Sequence, residues 1–202
     1  MGRIAVLISF VVLLGSCSSM NPMDLFRPDK RPKMAPLQEL KSSIPVKIVW
    51  QSSVGTSGPA VLSPAVSGER VYAAARDGSV TSLEAASGKQ IWKVNAGALL
   101  SGGVGADASL VAVGSSEGEV VGIEAENGRI RWRATVSSEV LAAPVVAGDI
   151  VLVRSADSRI FALDVLDGRR RWIYQRATPA LTVRSASGIS VRENTAYVGF
   201  AG

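Results

Sequence analysis

One segment of the sequence fits a pattern used by serine hydrolases. Residues 114–118 read Gly-Ser-Ser-Glu-Gly, the Gly-x-Ser-x-Gly arrangement in which a serine on a sharp turn attacks a carbonyl carbon after a histidine takes its proton. The 202-residue chain contains no histidine. An internal repeat also places Ser116 at the position that Arg76 holds one unit earlier. We therefore interpret this segment as a turn between two strands.

A second candidate for chemistry is a set of acidic residues that recur in phase, Glu84, Glu124 and Asp164. Carboxylates in pairs act as general acids and bases or bind cations. Each of these three lies four residues before a glycine or its equivalent, so we predict a repeated role in a turn. One cysteine and no histidine exclude an intrachain disulfide, a Cys/His metal site and a histidine-dependent triad.

The only cysteine, Cys17, follows an N-terminal export signal. A single arginine precedes the apolar run 4–14, which has the length of a signal-peptide core and is too short to span a bilayer as a helix. Residues 14–17, Leu-Gly-Ser-Cys, resemble the bacterial lipobox, in which a lipid is attached to the cysteine sulfur and cleavage makes that cysteine the new N-terminus. We predict a lipoprotein signal peptide at 1–16 and lipidation of Cys17. An ordinary cleaved leader is the alternative.

Residues 17–45 carry five prolines and no sustained apolar period, which predicts a tether between the lipid and a folded domain. Ser18, rather than aspartate, follows the cysteine, and in lipoproteins this favours sorting to the outer membrane of a Gram-negative cell. We therefore expect the protein on the periplasmic face of that membrane. The net charge of +5 is modest and suits solubility, so we predict no nucleic-acid binding.

Residues 46–202 form the predicted folded domain, which is organised around a segment that occurs three times. The copies are Gly78–Trp92, Gly118–Trp132 and Ser158–Trp172, and the offset between them is 40 residues both times. A period near 40 with strand-type sequence is typical of a β-propeller, in which each unit buries its faces against its neighbours. We predict an all-β fold of four-stranded antiparallel blades.

Each unit contains the signals for four strands. An acidic residue and a glycine form a hairpin turn, the next strand is apolar or small on both faces, and a second turn is followed by a strand that holds a tryptophan. Earlier strands are predicted at 62–66, 100–104 and 141–145. We predict turn glycines and tryptophan wedges between adjacent sheets at Gly88, Gly128, Gly168, Trp92, Trp132 and Trp172.

The two ends of the domain predict an incomplete ring. Ile48–Trp50 matches the tryptophan strand although no hairpin precedes it, as if it completed a last blade. Thr195–Phe200 resembles the strand Arg70–Ala75 of the first unit, and the chain stops before the next hairpin. We expect three full blades and part of a fourth from a ring of about seven or eight, with a closed four-bladed ring as the alternative.

The hairpin, turn glycine and tryptophan at this spacing resemble the quinoprotein-type propeller repeat over most of 46–202. Dehydrogenases with this repeat bind pyrroloquinoline quinone and calcium, usually beside a pair of adjacent cysteines that this chain lacks. With the lipobox and tether, the chain is more similar to the N-terminal part of the BamB family of lipoproteins of the β-barrel assembly machinery. That resemblance implies a non-enzymatic scaffold without cofactor, catalytic residue or metal site.

The same family binds its partner through a Leu-x-Leu-Arg motif in a loop beyond the third tryptophan. Residues 181–184, Leu-Thr-Val-Arg, occupy that place here, with Val183 as a smaller anchor than the family leucine. The resemblance implies that Leu181, Val183 and Arg184 bind the periplasmic POTRA domains of a BamA-type subunit, and that the protein assists insertion of nascent outer-membrane proteins. A quinone-dependent dehydrogenase and a generic envelope lipoprotein propeller are the alternatives.

Overall fold

A computed structural model of the protein describes residues 45–177 and 187–200. All of these residues except 45 and 46 belong to one compact unit, Lys47–Gly202. The predicted leader, Cys17 and the motif at 181–184 lie outside the described residues. Within the described part of the chain, no helix is long and apolar enough to cross a membrane.

The described residues form three four-stranded antiparallel sheets followed by a two-stranded hairpin. In each sheet the strands lie in chain order, and the turn between the second and third strands has the predicted position, with Gly78, Gly118 or Ser158 at its end. The all-β prediction of four-stranded blades is therefore confirmed. The first sheet contains β1 (Ala65–Ser67), β2 (Arg70–Ala74), β3 (Ser79–Glu84) and β4 (Gln90–Asn95); the second β5 (Gly105–Ala106), β6 (Leu110–Gly114), β7 (Glu119–Glu124) and β8 (Ile130–Thr135); the third β9 (Val145–Ala147), β10 (Ile150–Arg154), β11 (Arg159–Asp164) and β12 (Arg170–Gln175); and the hairpin β13 (Ile189–Arg192) and β14 (Thr195–Val198).

The first strand of each sheet begins three to five residues later than the sequence pattern predicts. The apolar run at 100–104 shows the reason. Leu100 and Val104 are buried because they pack in the cluster between the first and second sheets, and the Val104 amide donates to the Ser63 carbonyl across that boundary at 2.9 Å. An apolar run can therefore mark a connection that packs between sheets, as well as a strand.

Ile48–Trp50 pairs with no strand in the described part of the chain, so its predicted role in a last blade stays a prediction. A strand needs a hydrogen-bonded neighbour, and none lies beside these residues in the described part of the chain. The side chains of Ile48 and Val49 are largely exposed. Trp50 alone contacts the first sheet, in the manner described below.

The core is divided into layers between consecutive sheets. Tyr72, Val80 and Trp92 of the first sheet pack against Val113 and Val121 of the second. A second cluster joins the second and third sheets, and a third joins the third sheet to the β13–β14 hairpin. The central strands are buried on both faces, which explains why they are apolar without alternation.

Candidate functional site

The contact that repeats between sheets joins a tryptophan to a turn glycine of the next sheet. The Trp92 indole Nε1–H donates to the Ala125 carbonyl at 3.0 Å, and its ring lies on Gly128. A Cβ at Gly128 would stand 2.8 Å from Trp92 Cδ2, and this glycine has φ of 79°. Trp132 repeats the arrangement with Val165 and Gly168. We call this arrangement, an indole on a glycine turn with its N–H bonded to a turn carbonyl, the indole slot.

A bulge precedes each tryptophan and sets its direction. In all three sheets the pairing of the third and fourth strands skips one residue just before the tryptophan, at Ile91, Arg131 and Arg171. A bulge of this kind bends the strand and re-aims the following side chain. The residues before each tryptophan are therefore as much a part of the repeat as the ring itself.

Trp50 fills the same slot at the start of the domain. Its Nε1–H donates to the Ala85 carbonyl at 2.8 Å, and a Cβ at Gly88 would stand 2.5 Å from its Cε3. The sequence pattern assigned Gly88, Gly128 and Gly168 to turns only and missed that each one receives the tryptophan of the preceding unit. The signal was present in the spacing. The number of residues from Trp50 to Gly88 agrees, to within two, with the numbers from Trp92 to Gly128 and from Trp132 to Gly168.

Trp172 fills no indole slot within the described part of the chain, so its predicted role as a wedge stays a prediction. Its side chain is 44% exposed, whereas Trp92 and Trp132 are 9% and 7% exposed. The reason is that no glycine turn of a following sheet lies against it in the described part of the chain. Instead Trp172 faces an open cavity of about 840 Å³, between the β9–β10 turn at Gly148 and the β13–β14 turn at Asn194.

The recurring acidic residues serve the turns, as predicted. The Glu84, Glu124 and Asp164 carbonyls accept hydrogen bonds from the glycine amides four residues later. The Asp164 carboxylate also accepts from the Leu166 amide at 2.8 Å and from Arg171 Nη2 at 2.7 Å. These two contacts hold the pKa of Asp164 below its usual value, so the carboxylate remains ionised and is engaged in its own sheet.

The serine of the hydrolase-like segment is likewise part of a turn. The Ser115 Oγ accepts from the amides of Glu117 and Glu119, and the Ser116 amide donates to the Leu99 carbonyl at 3.0 Å. Among the described residues, no three His, Cys, Asp or Glu side chains come together as metal ligands.

The join that follows the third sheet is the longest of the three inter-sheet connections, running from Gln175 to Ile189. Its described ends are linked through Arg154 and Phe200. Arg154 Cζ lies 5.3 Å and Arg176 Cζ 5.7 Å from the Phe200 ring centroid, which are cation–π distances. Arg154 Nη1 also donates to the Ser187 carbonyl at 2.9 Å, and burial lowers the pKa of this arginine. The predicted binding residues Leu181, Val183 and Arg184 belong to this join but lie outside the described part.

Comparison with known proteins identifies the family. The family model described as outer membrane protein assembly factor BamB matches residues 46–95 and 76–202. The protein of that name from Nitrosomonas eutropha is 34% identical over 99% of this chain and 51% of its own length, and that from Burkholderia pseudomallei is 39% identical over 52% of this chain and 26% of its own. The crystal structure of BamB from Moraxella catarrhalis covers 68% of this chain at 29% identity with a TM-score of 0.62, and the match spans 42% of that structure.

These matches confirm the predicted β-propeller class. The chain spans about half the length of the Nitrosomonas relative. Its match to the Burkholderia relative covers about a quarter of that protein. The family model covers the chain from the segment that holds Trp50 to its last residue, and so includes all three indole slots. The chain belongs to the BamB family of outer membrane protein assembly factors.

Proposed function

We propose that this protein is a non-enzymatic scaffold lipoprotein that is anchored in the outer membrane, faces the periplasm and assists the insertion of outer-membrane proteins. In this proposal it binds the POTRA domains of a BamA-type subunit and also interacts with nascent outer-membrane proteins. The observation that carries the proposal is the family match over residues 46–202, since the relatives it joins are named for outer membrane protein assembly.

The packing of the sheets supports a scaffold role. The residues that recur in the units are used by the frame itself, because Trp92 and Trp132 fill indole slots of the next sheet and the acidic residues bond within turns of their own sheet. The longer join after β12 takes no part in these repeated contacts. Connections on a rigid frame are where proteins place binding residues, because they are exposed and are free to vary in length.

The ends of that join are well suited to present a binding motif. Arg176 and Ser187 stand at its two ends, and both are tied to the cluster of Arg154 and Phe200. In our proposal Leu181 and Val183 fill an apolar groove of the partner, and Arg184 pairs with a carboxylate.

The first test replaces the motif in the full-length protein. Leu181→Ala combined with Arg184→Glu is expected to reduce co-purification of the BamA-type subunit at least tenfold, because an apolar anchor is lost and a charge is reversed. Leu166→Ala with Arg170→Glu is the matched control, since Leu166 is 70% exposed and Arg170 lies on the exposed edge strand β12. Equal recovery of the partner by the motif variant and the wild type would show that the site is assigned wrongly.

The second test concerns the anchor. Cys17→Ala is expected to abolish labelling with radioactive palmitate and to move the protein from the membrane to the soluble fraction, because the lipid would have no sulfur to attach to. Ser18→Ala is the control, since it leaves the thiol in place. If Cys17→Ala remained with the membrane after a high-salt wash, another anchor would hold the protein.

The non-enzymatic part of the proposal has its own check. Purified protein is incubated with pyrroloquinoline quinone and calcium, and the reduction of a redox dye by alcohols is followed. We expect no reduction above the rate of the free cofactor. Alcohol-dependent turnover would favour a dehydrogenase and contradict the scaffold.

A further inference from the structure

Arg76 is an arginine whose charged group has no partner within the described part of the chain. It stands in the turn after β2, where its backbone amide donates to the Thr56 carbonyl at 2.9 Å and its carbonyl accepts from the Leu100 amide at 3.1 Å. Among the described residues, none forms a hydrogen bond or an ion pair with its guanidinium. The neighbouring carboxylate, Asp77, is used inside the turn, where it accepts from the Ser79 amide at 2.9 Å.

The repeat does not require an arginine at this position. The equivalent residues in the second and third sheets are Ser116 and Ala156, which occupy the same turn without a long side chain. The stem of Arg76 passes close to Gly58, since a Cβ there would stand 2.9 Å from its Cδ. The side chain is half-buried although none of the described residues bonds to its guanidinium.

Arg76 lines a recess of about 340 Å³ whose other walls are mostly apolar. Pro59, Val61 and Leu141 supply these walls, and Val61 is 71% exposed. Two serines complete the lining, but their hydroxyls are already donors: Ser101 Oγ to the Val140 carbonyl at 2.8 Å and Ser116 Oγ to the Leu99 carbonyl at 3.4 Å. Of the polar side chains in the recess, Arg76 is the one whose donors bind nothing in the part of the chain that the structure describes.

We propose that this recess is a docking site for an extended segment of another polypeptide that carries an aspartate or glutamate next to an aliphatic side chain. The planar guanidinium binds a carboxylate through two parallel hydrogen bonds, which is the geometry that a free arginine offers best. The aliphatic neighbour then covers Val61 and Leu141. This inference does not depend on the motif at 181–184, since no residue of the recess belongs to that join.

The choice of a protein segment follows from the shape and charge of the recess. It is open to solvent on one side and near the lower limit of small-molecule pockets, so a compact ligand would leave much of its surface in water. A single arginine surrounded by apolar walls also matches one carboxylate and not a polyanion such as a phosphate backbone.

The test is fluorescence anisotropy with labelled peptides and the full-length protein. The probe is Ser-Leu-Glu-Leu-Ser with both ends blocked, and the matched probe has glutamine in place of glutamate. Wild-type protein is expected to bind the glutamate peptide at least tenfold more tightly, because only the carboxylate forms charge-assisted bonds with the guanidinium. Arg76→Gln is expected to remove this preference, and Arg170→Gln, on the exposed edge of the third sheet, is expected to keep it.

A charge swap completes the design. Arg76→Glu is expected to prefer the same peptide with lysine at the central position. Circular dichroism checks that each variant is folded. We expect all of them to fold, because the Arg76 guanidinium bonds to none of the described residues. The proposal is overturned if wild type binds neither peptide, if it binds both equally, if Arg76→Gln keeps the preference, or if a glutamine peptide with a free C-terminal carboxylate binds more tightly than the glutamate peptide.

Discussion

Replacing Trp132 by alanine is expected to lower the free energy of unfolding by about 3–5 kcal/mol. The indole is 7% exposed and lies between the second and third sheets, so its removal leaves a cavity that the rigid sheets fill poorly. The Val165 carbonyl also loses the hydrogen bond that it accepts from the indole at 3.0 Å. The effect should be measured by urea denaturation with far-ultraviolet circular dichroism.

The matched control for this experiment is Ile130→Ala. Ile130 lies on the same strand, two residues before Trp132, but is 37% exposed and outside the core cluster. We expect it to cost less than about 1 kcal/mol, as surface substitutions do. If both variants lost the same free energy of unfolding, the stability would come from the strand and not from the indole slot.

Replacing Gly128 by alanine is expected to cost about 2–5 kcal/mol, the second largest effect. The backbone there has φ of 79°, which costs an L-residue about 1–2 kcal/mol. The new Cβ would also meet the Trp92 ring at 2.8 Å, and forced overpacking costs about 1–3 kcal/mol more.

A second glycine separates these two causes. Gly148 has φ of 64°, but a Cβ there would meet nothing within 4 Å, so Gly148→Ala should show the backbone cost alone. In a Trp92→Ala background, Gly128→Ala should fall to the cost of Gly148→Ala because the clash is gone, a coupling that a double-mutant cycle measures. Equal costs for Gly128→Ala and Gly148→Ala in the wild-type background would contradict the indole slot.

Both predictions bear on function through the frame that the slots hold together. In the proposed scaffold, the join after β12 and the recess at Arg76 bind partners only if the sheets that carry them keep a fixed arrangement. A variant that weakens a slot without unfolding the protein should therefore reduce partner binding, although it touches no binding residue.

Most of the local architecture could be predicted from the sequence. The repeat at 40 residues gave the number of strands in each unit, and the acidic residue and glycine before β3 gave the hairpin turns. These predictions succeed because a turn glycine and a doubly buried strand have local signatures in composition and spacing. The predicted starts of the first strands were wrong. An apolar run that packs between sheets has the same sequence pattern as one that forms a hydrogen-bonded strand.

Contacts between units were beyond local patterns. Nothing near Gly128 in the sequence indicates that the ring of Trp92 lies on it. Arg76 is a similar case, because only the placed side chains show that its guanidinium has no partner among the described residues.

The amino-acid sequence by itself determined the class of fold, the period of its units and the family to which they belong, because each unit repeats the same short-range signals. Only the tertiary structure decided which tryptophan meets which glycine and which apolar runs are strands. These outcomes depend on residues that are about 35 positions apart in the chain and meet only when one sheet packs on the next.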